Sequence, residues 1–272
     1  MKIDEEHKLK KPDQAVDLDM PDPQVLSISE EARKNLLDIS LNRSQIRLIK
    51  RLRAQFAKQL KLLRAKGQKF NKNELQGFNE ILTTISPVEL KRISELESPE
   101  LLIISNAVDM KSKLNDSPFS LEYRDVNLID SFSNVEDLIS LDYDSSHSSK
   151  FSVPSYTVVV MDGGEKVPDS TKNESFVELF EKLRDQGFDL PNLAEYLQFL
   201  RTAFLEGRAV DFNTTSFIKG TFLRQNSFAD KLVPAICRKG RKEEFELREV
   251  LKYSCIPSRG TRRVVRLGEN ML

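Results

Sequence analysis

One acid-free stretch constrains this chain more than any other feature. Residues 39–73 contain eleven basic side chains (Arg43, Arg47, Lys50, Arg51, Arg53, Lys58, Lys61, Arg64, Lys66, Lys69 and Lys72) and no Asp or Glu. Placed on a helix at roughly 100° per residue, positions 46–65 bring Ile49, Leu52, Phe56, Leu60 and Leu63 onto one face. Arg43, Arg47, Lys50, Arg51, Lys58 and Lys61 fall on the opposite face, and Arg53 and Arg64 lie near the border. No proline interrupts the run, and Gly67 is placed to close it. The spacing predicts a long amphipathic helix with a wholly cationic outer side.

A charged helix face is usually a solvated one. Soluble helices normally mix signs, because Glu–Lys pairs four residues apart support the helix and like charges oppose it. The missing acids therefore point to a surface that meets something anionic: nucleic acid, an acidic protein segment or a membrane surface.

The rest of the chain offsets this charge. Over 272 residues, 42 basic side chains balance 42 acidic ones, so the imbalance is regional. Apolar content of 39% against 31% charged residues fits a globular protein with polar segments better than a dense enzyme core. Cys237 and Cys255 have no spacing that implies a disulfide framework or zinc site, and read as free thiols of a reducing compartment. Residues 1–24 lack the apolar run of a signal peptide, and no stretch approaches the roughly 18 apolar residues of a membrane span. The expectation is a cytoplasmic protein.

In order along the chain, residues 1–24, with Pro12, Pro21 and Pro23, hold too little apolar surface to offset ordering and read as a disordered tail. Residues 25–113 read as a helical bundle containing the basic helix. Its start signals are Ser27 with Glu30, Asn71 with Glu74, Ser86 with Pro87 and Glu89, and Ser98 with Pro99 ahead of a helix through Val108. Residues 114–153 form an acidic, Ser-rich connector, with eight acids and one base before residue 150. Acids mixed with single hydrophobes suit a segment that orders on binding, so residues 114–149 are a candidate intramolecular cover for the basic helix.

Residues 154–272 read as an α+β domain with a basic C-terminus. The β-branched run 156–161 ends in a turn at Asp162, Gly163 and Gly164. Helices follow, one capped by Thr171 with Glu174 and ending at Gly187, the next opened by Pro191 and ending at Gly207. Positions 210–223 have strand composition, 231–238 read as a short helix weakened by Pro234, 245–253 suit either state, and Val264 with Val265 form a final strand. The fold class is thus α+β: an all-α bundle, then a small α+β domain.

Site chemistry is sparse. No phosphate-binding glycine motif occurs, and the two histidines, His7 and His147, sit in polar segments away from any packed element. Neither a cofactor nor a metal is implied. Asp162 and Asp211, near strand ends, are the carboxylates that a metal nuclease would use, but Glu249 and Lys252 have the wrong spacing to complete such a site. A second basic cluster lies at Arg259, Arg262, Arg263 and Arg266, beside Gly260. Arginine's planar fork suits phosphate or carboxylate. The phenylalanines are spaced as core residues, not interleaved with these arginines as a stacking platform requires. The sequence therefore points to a non-enzymatic adaptor or assembly protein. Its anionic partner would dock on Arg43, Arg47, Lys50, Arg51, Lys58 and Lys61, with Arg259, Arg262, Arg263 and Arg266 as a second surface. A nucleic-acid-binding accessory protein is the alternative.

Overall fold

The acid-free stretch does form one long helix, α1 (Arg43–Ala65), and its apolar side decides what packs around it. The computed structural model describes residues 42–65, 67–105, 120–123, 156–219, 232–238, 244–251 and 253–267. Asn42 and Gln45 exchange hydrogen bonds across the first turn of α1 (2.9 and 3.0 Å), satisfying N–H groups that the helix leaves open. Gly67 closes it at φ +81°, where the Gly67 N–H reaches the Arg64 carbonyl. Two short helices follow, α2 (Lys72–Thr83) and α3 (Pro87–Ser94). Each starts at the capping box read from the sequence, Asn71 with Glu74 and Ser86 with Glu89.

The remaining elements are β1 (Pro99–Ser105), β2 (Ser120–Tyr123), β3 (Tyr156–Asp162), a 3-10 turn (Asp169–Thr171), α4 (Phe176–Asp185), α5 (Leu193–Leu205), β4 (Thr215–Phe217), β5 (Leu232–Arg238), β6 (Glu244–Leu251), β7 (Arg259–Gly260) and β8 (Val264–Leu267). They form two sheets. One is three-stranded and antiparallel, in the order β1-β3-β8. The other has the order β2-β6-β5-β4-β7, with β2 parallel to β6 and β7 parallel to β4. Helices are mostly N-terminal and strands mostly C-terminal, an α+β arrangement.

The three-stranded sheet is buried on both faces, which explains its composition. Leu101, Ile103, Val158, Val160, Val265 and Leu267 point into a core shared with α1, α2, α3 and α4. The alternate residues Leu102, Ile104, Val159, Met161 and Val264 point into a second core with α5 and with Ile236, Phe245 and Leu247 of the larger sheet. A strand covered on both sides is apolar at every position instead of alternating. Each such side chain, fully buried, contributes about 1.5–3 kcal/mol relative to exposure.

This double burial corrects the helix expected over 98–108. A short apolar run is compatible with either state, and the Ser–Pro start signal misleads here. Ser98 has φ +51°, far from the extended conformation of an N-cap, and its turn feeds Pro99 into β1. The stretch 25–113 thus contributes a strand as well as helices, and β1 pairs with β3 from the later half of the chain. Residues 231–238 are likewise a strand, β5, and not a helix. Pro234 fits because its carbonyl accepts from Ile218 N (3.0 Å) on the side where β4 has already ended, so no internal ladder bond needs its missing N–H. The expected strand over 210–223 is confined to β4 among the described residues. The cap expected at Thr171 with Glu174 falls four residues later, at Ser175 with Glu178, because Thr171 donates its hydroxyl to the Thr261 carbonyl (2.7 Å). Residues 1–24, the Ser27–Glu30 signal and most of 114–153 lie outside the described residues; Ser120–Tyr123 within the acidic stretch forms β2.

The outer edge of β1 is closed by a side chain. Gln55 of α1 donates to the Pro99 carbonyl and accepts from the Leu101 N–H, both at 3.1 Å, standing where a neighbouring strand would. Replacing Gln55 with Ala leaves these buried backbone groups unpaired and is expected to lower unfolding free energy by about 1–3 kcal/mol in urea titration. An unchanged midpoint would show that water serves this edge equally well.

Candidate functional site

The two basic clusters meet opposite fates. On α1, Arg43, Arg47, Lys50, Arg51 and Lys61 are exposed, and none makes an ion pair among the described residues. At 1.5 Å per residue these five span about 27 Å of helix. Lys58, on the same side, is drawn to Glu206 just past the end of α5. Burial raises the Glu206 carboxyl, but Lys58 and Arg208 outweigh it and hold its pKa below the ordinary value. Nothing on α1 compensates the stripe. Its first turn carries no acid, so Arg43 sits at the positive end of the helix dipole, and Arg43–Arg47–Arg51 repeats like charges four residues apart.

The inner side of α1 fixes where that stripe points. Leu52, Phe56 and Leu63 are buried, and Gln59, only 2% exposed, lies among them. Its amide donates to Thr202 Oγ1 (3.1 Å) and accepts from Gln198 Nε2 (3.3 Å), tying α1 to α5. Gln55 on β1 adds a second polar attachment on the inner side of α1, and Lys58 on Glu206 adds one at the outer side.

The C-terminal arginines are largely internal. Arg262 is fully buried and paired with Asp211, itself 1% exposed, through Nη2 at 2.7 Å and Nε at 3.2 Å. Its Nη1 donates to the Asp162 carbonyl (2.7 Å), and its guanidinium lies 4.2 Å from the centre of the Phe199 ring. The Tyr196 hydroxyl also donates to Asp211 and lies 2.9 Å from Ser216 Oγ. Burial disfavours the Arg262 charge, yet Asp211 and Tyr196 more than restore it, and its pKa is raised. Arg263 grips Asp162 with two nitrogens (2.9 and 3.1 Å), and Asp162 also accepts from the Glu97 and Arg263 N–H groups. Arg266 bridges Glu195 and Asp189. Burial raises the Asp189 carboxyl, but Arg266 and Lys219 overcome it and hold its pKa down. Arg259, partly exposed on β7, has its pKa lowered by burial and by Arg248.

The expectation of a second docking surface at Arg262, Arg263 and Arg266 is therefore corrected. Their guanidinium groups join loops, strands and α5 inside the protein. The same pairs account for Asp162 and Asp211, whose carboxylates are committed to arginines. The missed signal was in the sequence: each arginine of the 262–266 cluster has an acid far along the chain near a strand or helix end. No rule of spacing, however, tells an arginine that will pair internally from one that will face solvent. Among the described residues no group of three or more His, Cys, Asp or Glu could hold a metal ion, and no helix is long and apolar enough to cross a membrane.

No family model, curated protein or solved structure matches this chain.

Two outcomes follow from the buried network. Replacing Arg262 with Met strands the Asp211 charge and is expected to cost about 3–5 kcal/mol in chemical denaturation. Tyr196 supplies a pH signature. Burial first, then the Asp211 charge, push its pKa well above 10.0. Above that pH the unfolded chain loses the phenolic proton and the folded chain keeps it, so stability is complete below pH 10 and falls as pH rises. Melting curves between pH 8 and 11 are expected to show this decline, and Tyr196→Phe to reduce it.

Proposed function

We propose that this protein is a non-enzymatic adaptor or assembly component that docks an acidic protein segment along the outer face of α1. One observation carries the reading: five exposed cations on a single helix face, unpaired among the described residues and set against the preferences of their own helix. Like-charge repetition and an uncompensated N-terminal turn each cost a few tenths of a kcal/mol. A surface that keeps such costs fits one whose charge is used by a partner.

An apolar side chain within the stripe favours protein over nucleic acid. Ile46, 42% exposed, stands one turn from Arg43 and Lys50 and beside Arg47. A segment with acids flanking one hydrophobe matches that pattern, whereas a phosphate backbone has nothing to place on Ile46. Neither Cys237 nor Cys255 is in a disulfide, which fits a reducing, cytoplasmic setting. Residues 114–149 have the acid-and-hydrophobe composition that the face would accept from its own chain.

The test is a double charge reversal, Arg47→Glu with Arg51→Glu, measured against an acidic peptide and against random duplex DNA and RNA at two salt concentrations. Binding of the acidic peptide is expected to fall at least about tenfold, while thermal stability holds or rises by a few tenths of a kcal/mol as like-charge pairs disappear. Tight binding of nucleic acid with a steep linear dependence on log[salt] would replace this reading with the phosphate-backbone one. Unchanged affinity for every polyanion would remove both.

A further inference from the structure

A groove separate from the α1 stripe lies where α3, the end of α4 and β8 converge. Its volume is about 690 Å³, within the range of small-molecule sites. Val88, Phe180, Phe188 and Val265 give it apolar walls, and Val88 stands at the mouth with 58% of its surface exposed. Four cations line it against two carboxylates. Both carboxylates are occupied: Glu89 accepts from the Ser86 N–H in the α3 capping box (2.7 Å), and Asp189 is held by Lys219 and Arg266. That leaves Arg92 and Arg184. Neither guanidinium makes an ion pair or hydrogen bond among the described residues.

Arg92 is held in position without being neutralised. Its guanidinium lies flat against Gly187, the residue that ends α4 at φ +75°, so closely that a Cβ there would collide with it. The carbonyl end of α4 favours a cation at this place. Half-buried Arg92 is therefore oriented by the helix end beneath it. Arg184, one turn back on α4, is exposed on the same wall. Two guanidinium forks beside an apolar floor make a receptor for an oxyanion with a hydrocarbon attached: the forks match carboxylate or phosphate geometry, and the apolar walls take the body.

We propose that this groove binds a small organic anion, a carboxylate or phosphate monoester on an apolar body, held by Arg92 and Arg184 with the body against Val88, Phe180 and Val265. The site is independent of the reading given to α1, because none of its lining residues belongs to that helix.

Titration calorimetry of the full chain with phenyl phosphate, phenylacetate, inorganic phosphate and benzyl alcohol tests it. The two aromatic anions are expected to bind saturably, inorganic phosphate more weakly, and benzyl alcohol without heat. The stronger of the two aromatic anions identifies the head group as phosphate or carboxylate. Arg184→Ala removes an exposed side chain and is expected to weaken binding about tenfold, the loss typical of one charge-assisted contact. Arg92→Ala is expected to weaken it at least as much, and Lys50→Ala on α1 to leave it unchanged. Amide shifts on binding are expected at Gly187 and Val265. Unchanged affinity in Arg184→Ala with an unchanged melting curve, shifts confined to α1, or saturable binding of none of the four probes would each overturn the proposal.

Discussion

The three-stranded sheet must be covered twice, and the architecture follows from that requirement. β1, β3 and β8 carry apolar side chains on both faces. One cover is mainly helical, α1 to α4, in a core that also takes in Phe217, Val233, Ala235 and Val250 of the larger sheet. The other is α5 with the inner face of the five-stranded sheet. Because β1 comes before the acidic stretch and β3 after it, neither half of the chain completes this sheet alone. The long helix is thereby locked to a scaffold built from distant sequence. Its own propensity, burdened by like charges, is not asked to hold it in place.

Burial of polar groups divides the arginines into two populations. Arg262, Arg263 and Arg266 each meet a carboxylate and so can stay charged inside, and they join the β7–β8 connection to α5 and to the end of β3. Such pairs add little net stability over an apolar replacement of the whole unit, but they are costly to break singly. Their effect here is to fix which loop meets which strand. On the outer face of α1, Arg43, Arg47 and Arg51 are exposed and meet no carboxylate among the described residues. A difference in environment, not in residue type, separates an internal fastening from a surface that can receive a partner.

Much of this was legible in the sequence where local chemistry decides the outcome. The periodicity of α1, the capping boxes at Asn71 and Ser86, and strand β3 ahead of its Asp–Gly–Gly turn all rest on neighbours within a few residues. What failed depends on distant chain. β1 looked helical because Leu101, Leu102, Ile103 and Ile104 say only that the segment is buried, and a second strand had to be known before its pairing could be inferred. β5 was misread through Pro234, which breaks a helix and is harmless at the end of a ladder. Of the candidate site, the α1 cations were found from spacing, but the partners of Arg262, Arg263 and Arg266 lie at least 51 residues away, and Gln59 sat unnoticed among leucines.

Gln59 gives the helix a fixed heading. A purely greasy interface between α1 and α5 would tolerate a modest roll of one cylinder on the other, since hydrocarbon contact has no preferred azimuth. An amide clasped by Thr202 and Gln198 has one. Turning α1 by a single position would carry that amide about 100° away and bring a lysine or leucine into its berth. The compass bearing of the cationic stripe is thus set from the interior, by one glutamine that never sees the solvent side.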